Sequence, residues 1–147
     1  VKVIPLTLER ANEEVFNWHR HNKPVQGHRF SLGAEHDGEL VGVAIVGRLT
    51  AQKLDQYYTA EVKRLAVPDN APDNTCSFLY AACRRVWQAM GGTRMITYTL
   101  TKESGSSLRG AGWVPTALKK PSGKGWQSRD REHQAVFDEQ KIRWEAT

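Results

Sequence analysis

The sequence predicts an α/β (α+β) domain in which antiparallel hairpins precede a β-α-β unit. Three observations lead there. Stretches of alternating and helical periodicity follow one another in the order β, α, β, β, β, α, β, α, β, β. The 147 residues, 39% of them hydrophobic, suit one globular domain, 1–147, able to bury roughly 70% of its unfolded surface. Two cysteines are too few for a disulfide scaffold, and that hydrophobic content excludes a disordered chain.

Taken in order, Val1 to Leu6 is β-prone, and Leu8, Ala11, Val15 and Trp18 recur at helical spacing behind Thr7, a capping residue. The basic, aromatic stretch Trp18-His19-Arg20-His21-Asn22-Lys23 ends this helix before Pro24. Phe30, Leu32 and Ala34 alternate, His36-Asp37-Gly38-Glu39 supplies a turn, and the apolar run Leu40 to Val46 suits a strand buried on both faces. Tyr57 to Val67 reads as a long strand whose alternation is broken by Glu61, Lys63 and Arg64. A bulge, a partly solvated face or a functional cleft would each produce that break. After the turn-rich Pro68 to Asn74, Leu79, Ala82, Cys83, Val86 and Met90 trace one face of a helix ending at Gly91-Gly92. Met95 to Leu100 is a short strand, Glu103 to Ala111 a smaller helix stopped by Gly112, and Trp113-Val114-Pro115 opens another strand. Residues 118–131, with five bases and one acid, read as a mobile basic loop, and Lys141 to Glu145 alternates as a closing strand.

The formal charge is +5 and the sequence pI about 9.4. No apolar run approaches the roughly 20 residues of a membrane helix, and the first residues lack the organisation of a signal peptide. A soluble, cytoplasmic protein without a membrane partner is expected. Cys76 and Cys83 fall about 10 Å apart on one predicted helix, too far for a disulfide. Free thiols are expected, and no metal site, since structural zinc takes four N/S ligands at short spacings.

The segment Leu65-Ala66-Val67-Pro68, then a loop, a strong helix, Gly91-Gly92, the strand Met95 to Leu100 and a short helix closing in Gly112-Trp113, resembles the GNAT superfamily of acyl-CoA-dependent N-acyltransferases. The resemblance spans essentially the whole chain and implies a mixed, mostly antiparallel central sheet flanked by helices. In that family the loop has the form Arg/Gln-x-x-Gly-x-Gly/Ala. Here it is Ala71-Pro72-Asp73-Asn74-Thr75-Cys76, without the basic or amide residue and without either glycine. The same loop, with Arg64-Leu65 before it and Ser77 after it, is similar to that of phage Mom-type DNA-modification proteins. The run Tyr98-Thr99-Leu100 through Gly112-Trp113 also resembles an uncharacterised phage and plasmid branch of the superfamily.

The resemblance implies acetyl-CoA, or another acyl-CoA, as co-substrate. It makes Glu61, on the strand entering the cofactor cleft, the candidate general base; a cross-strand partner for Lys or Arg is the structural alternative. It gives the backbone of Leu65, Ala66 and Val67 to the pantetheine arm. The amides of Asn74, Thr75, Cys76 and Ser77 would take the pyrophosphate at a helix start, helped by the hydroxyls of Thr75 and Ser77. The tyrosine that many members use as general acid is replaced by Leu108, so Tyr98 is the candidate acid, with Tyr80 or Ser107 as alternatives. Tyr80 reads otherwise as core, and so do the cysteines, although a helix start would lower the pKa of the Cys76 thiol. Trp18, His19, Arg20 and His21 are the candidate acceptor contacts; with His28, the histidines read otherwise as solvated surface. The expected activity is transfer of acetyl to a primary amine. The alternatives are a Mom-like enzyme acting on a flipped DNA base and a non-catalytic nucleic-acid-binding module on the same scaffold. A nucleic-acid partner and a homodimer stay open.

Overall fold

A computed structural model describes residues 1–19, 23–50, 55–119 and 140–147. The elements run β1 (Lys2–Leu6), α1 (Leu8–Trp18), β2 (Phe30–His36), β3 (Glu39–Gly47), β4 (Thr59–Ala66), α2 (Thr75–Ala89), β5 (Arg94–Leu100), α3 (Ser106–Gly110), β6 (Val114–Lys119) and β7 (Lys141–Ala146). The seven strands form one sheet in the order β1-β2-β3-β4-β5-β7-β6. Every neighbouring pair is antiparallel except β4 with β5, which α2 connects. The mostly antiparallel sheet flanked by helices is therefore as the sequence predicts. No described helix is long and apolar enough to cross a membrane.

Local chemistry explains most boundaries. Thr7 is extended and its Oγ1 accepts the Arg10 N–H at 3.1 Å, which starts α1. Asp37 and Gly38, with φ of 51° and 79°, make the two-residue turn between β2 and β3. Both α2 and α3 end in the same reciprocal pattern. Gly91 donates to Gln88 O and Gly92 to Trp87 O, and likewise Gly112 to Arg109 O and Trp113 to Leu108 O. Pro115 is tolerated because β6 is an edge strand.

The continuous apolar run of β3 reflects two helical layers. Val43 and Ile45 pack with Ala11 and Val15 of α1, while Ala44 and Val46 pack with Leu79, Ala82, Cys83 and Trp87 of α2. Gly42 lets α2 approach: a Cβ there would meet Leu79 Cδ1 at 2.8 Å. The predicted α2 stripe is corrected at its end. Trp87 is the buried residue and Met90 is exposed, because Met90 falls at the helix cap, past the last turn that faces the sheet. Trp87 Nε1 donates to Tyr58 O and Arg94 O at 3.1 and 2.9 Å, tying the helix end to the starts of β4 and β5. The strand predicted from Tyr57 begins at Thr59, with Tyr57 and Tyr58 in the preceding turn.

Two features of β4 shape the middle of the sheet. Its pairing with β3 carries a bulge: Ile45 faces Arg64 but Val46 faces Val62, so Lys63 is the extra residue. Ala60 and Val62 pack towards α2 before the bulge, Leu65 and Val67 after it, and Ala66 packs towards α1. The inserted residue thus switches the alternation and gathers Glu61, Lys63 and Arg64 on the α1 face. The charges that interrupt the sequence pattern mark this bulge. Secondly, β4 and β5 pair only through Thr59↔Arg94, Ala60↔Met95 and Glu61↔Ile96, then part.

Candidate active site

Where β4 and β5 separate, a cleft of about 1350 Å³ opens through the sheet. At its apex Thr97, 4% exposed, donates its hydroxyl to Val62 O at 3.0 Å, standing in for a backbone bond the diverging strands no longer make. Glu61 and Leu65 from β4, Tyr98 from β5 and Tyr80 from α2 line the cleft together. The lining also takes Val25 to His28 from the segment after α1, Arg48 to Thr50 after β3, and Lys102, Glu103 and Lys141.

Glu61 is 7% exposed. Its Oε1 accepts the Thr50 N–H at 3.0 Å and lies 3.6 Å from Lys63 Nζ, which donates to Thr50 Oγ1 at 2.6 Å. The basic partner of Glu61 is therefore Lys63 of its own strand rather than a cross-strand residue, since Gly47 and Ile96 stand opposite it, and both contacts fall on one carboxylate oxygen among the described residues. A buried carboxylate at the edge of an open cleft, with one oxygen left without a hydrogen bond from the described residues, has the geometry to accept a proton directly or through water.

Tyr98 bonds to Arg143 and is partly buried. Desolvation, then the negative charge of Glu61, raise its phenol above the ordinary value, with Arg143 pulling the other way. Tyr80 is raised further, chiefly by burial, and packs edge-on against Trp113 with ring centroids 5.5 Å apart. Both phenols stay protonated near neutrality and hold a proton to donate. Tyr80, read from sequence mainly as core, reaches the cleft as well as the core. Leu108, which stands where a tyrosine is common, is 1% exposed and belongs to the core.

The start of α2 lies beyond the cleft lining. Asn74 occupies the place of the first glycine of the GNAT loop and adopts φ 70°, a left-handed conformation that asparagine tolerates better than most residues. The turn is thus kept without glycine. The hydroxyls of Thr75 and Ser77 are corrected as ligand donors: they donate to Pro72 O at 2.6 Å and to Ser107 O at 2.8 Å. Helix geometry leaves the amides of Cys76 and Ser77 without intrahelical partners. Ala66 and Val67 continue the β4 edge but do not line the cleft.

The Cys76 thiol is also corrected. Burial raises its pKa and outweighs the hydrogen bond with Ser107 that lowers it, so the helix start does not make it reactive. Cys83, fully buried, is pushed up to about 12. Since both folded-state values exceed those of the unfolded chain, the thiols contribute stability below pH 9 that is lost as pH rises through the folded values. Thermal unfolding followed from pH 8 to 11 is expected to fall less steeply for Cys83→Ala than for the parent. Parallel slopes would refute this role for Cys83.

Trp18 and His19 do not line the cleft; Trp18 packs against the α1 side of the core, and His19 caps α1. Arg20 and His21 lie outside the described residues, as does 120–131 of the predicted basic loop. Sequence reasoning missed Arg48, Thr97 and Lys102 as lining residues, and their positions depend on strand register and on where β4 and β5 part. Among the described residues no His, Cys, Asp or Glu cluster could hold a metal ion.

Compared by sequence, the chain matches no family model and no curated protein. Its fold matches solved structures closely. A ribosomal-protein-alanine N-acetyltransferase from Brucella melitensis superposes with TM-score 0.68 at 17% identity, covering 99% of each chain. A Bacillus subtilis acetyltransferase in complex with CoA gives 0.69 at 13% identity, covering 98% of this chain and 96% of that one. A GNAT-family acetyltransferase from Streptococcus pneumoniae gives 0.66 at 10% identity, covering 99% and 97%. With its parted β4 and β5 and the helix between them, the chain has the fold of the GNAT N-acetyltransferases.

Proposed function

We propose that this protein is an acyl-CoA-dependent N-acyltransferase that moves an acetyl group from acetyl-CoA to a primary amine by direct attack. The observation that carries this reading is the parting of β4 and β5 immediately after Glu61↔Ile96, which puts a buried carboxylate at the apex of an open cleft. The unpaired edge of β4 at Leu65, Ala66 and Val67 receives the pantetheine arm and polarises the thioester carbonyl. Of the segment Asn74, Thr75, Cys76 and Ser77, the Thr75 amide is taken by Pro72 O at 3.3 Å, and the amides of Cys76 and Ser77 receive the pyrophosphate. Glu61 removes a proton from the attacking amine as its C–N bond forms. The C–S bond breaks as electrons return from the oxyanion, and the proton of Tyr98 passes to the departing thiolate. The segment after α1 meets the acceptor through Val25 to His28, in place of Trp18 and His19. The neighbours lend no support to the DNA-base alternative.

Acetyl-CoA and CoA are expected to raise the melting temperature, a ligand at a hundred times its Kd adding about 2.7 kcal/mol. No response to either at millimolar concentration would overturn the reading. Within it, Tyr98→Phe is expected to lower kcat about tenfold, at the modest end for acid catalysis because a thiolate leaves readily. Loss of kcat in Tyr80→Phe instead moves the role to Tyr80.

A further inference from the structure

We infer that the acceptor amine carries a carboxylate or phosphate group, received by Arg48 and His28 beside Glu61; this rests on the acyltransferase reading above. Among the described residues the cleft lining holds five bases, Arg48, Lys63, Arg64, Lys102 and Lys141, against two acids, Glu61 and Glu103. Their positive charges are not equivalent. Lys63 is committed to Glu61 and Thr50, and Arg64 is pinned by donating to Lys63 O and Lys23 O. Arg48 is exposed and makes no hydrogen bond or ion pair with any described residue.

The position of Arg48 gives that charge a use. Gly47 pairs with Glu61 in the β3–β4 ladder, so Arg48 follows directly on the register position opposite the proposed base. Gly47 has no side chain to interpose, and a Cβ there would meet Lys63 Cγ at 3.4 Å. Arg48 and His28 also line a second cavity of about 530 Å³ with Arg29, Gln56 and Tyr57, so at these two residues the cleft adjoins a basic arm. In that arm Arg29 is held, its guanidinium 5.1 Å from the centre of the Trp87 ring and bonded to Gln56 O. His28 is oriented by the 2.7 Å contact of Nδ1 with Ser31 Oγ, a residue 3% exposed, which leaves Nε2 as the ring nitrogen not engaged by that contact. A planar guanidinium next to an imidazole fits an oxyanion on the substrate. An amine that bears such a group is oriented by it, with nitrogen towards Glu61 and anion towards Arg48.

The test uses two matched pairs of amines, ethanolamine with O-phosphoethanolamine and tyramine with tyrosine. For each, kcat/KM is measured with acetyl-CoA saturating, and binding to the protein alone is followed by NMR at the Arg48 side chain. The anionic member of at least one pair is expected to be favoured tenfold or more. That preference should shrink with added salt and approach parity in Arg48→Gln, with acetyl-CoA affinity unchanged. Neutral amines used equally well in both pairs would overturn the inference. So would an Arg48→Gln effect confined to acetyl-CoA affinity, which would assign Arg48 to the phosphates of the co-substrate. Binding of acetyl-CoA without any response of Arg48 to the anionic amines defeats this inference alone; failure of acetyl-CoA to bind defeats the acyltransferase reading.

Discussion

Glu61→Gln is expected to lower kcat/KM about a hundredfold near neutral pH while leaving acetyl-CoA affinity unchanged, the range typical of losing a general base. The substitution is nearly isosteric. Glutamine still offers an oxygen to the Thr50 N–H, now held at 3.0 Å, so the loop after β3 keeps its anchor. What is lost is the negative charge facing Lys63 and the capacity to accept a proton. Because the neutral amine is scarce at low pH, the deficit should be widest there and should narrow as pH rises. A deficit of the same size at every pH, or none, would reduce Glu61 to a structural partner of Lys63. The reciprocal substitution Lys63→Met separates the two roles further, since it removes the ion pair and leaves the carboxylate.

The sequence revealed the order of elements because each is set locally: Thr7 caps α1, Asp37-Gly38 turns the first hairpin, and glycines close α2 and α3. The double burial of β3 was equally legible, since an unbroken apolar run leaves a strand no polar face to turn towards water. The site was legible only where chain and chemistry coincide, on β4. Glu61 and Leu65 could be picked out there because the charged interruption of the strand and the resemblance pointed to the same stretch. Arg48, Thr97 and Lys102 could not, since each is brought to the cleft by register and by the parting of two strands far apart in sequence. The α2 stripe shows the same limit at small scale. Trp87 and Met90 both fit the helical period behind Cys83, and only the sheet, ending before Met90, decides between them. The hydroxyls of Thr75 and Ser77 were misread for a related reason. Their residue types are those of phosphate donors, but Pro72 and the packing of α3 claim their protons first.

The largest effect on stability is expected from Gly105→Ala, at about 4 kcal/mol, or a fall in melting temperature of about 12 °C. Two penalties add. Gly105 has φ 71°, which costs an alanine about 1–2 kcal/mol. Its Cβ would also lie 2.3 Å from Trp144 Cζ2, so the indole must move. That ring is fully buried, its Nε1 donates to Thr99 Oγ1 at 2.8 Å, and Arg109 covers it with its guanidinium 4.8 Å from the ring centre. Displacing so constrained a ring costs a further 1–3 kcal/mol or so, the usual range for overpacking. Gly91→Ala is the matched control, with φ 96° and no atom within 4 Å of the added Cβ, and it should lose only the backbone share. Equal losses in the two variants would show that the left-handed backbone alone sets the cost. A larger loss at Gly105 would place Trp144 as the wall against which α3 is set, and because Thr99 lines the cleft, that variant should also raise KM for acetyl-CoA.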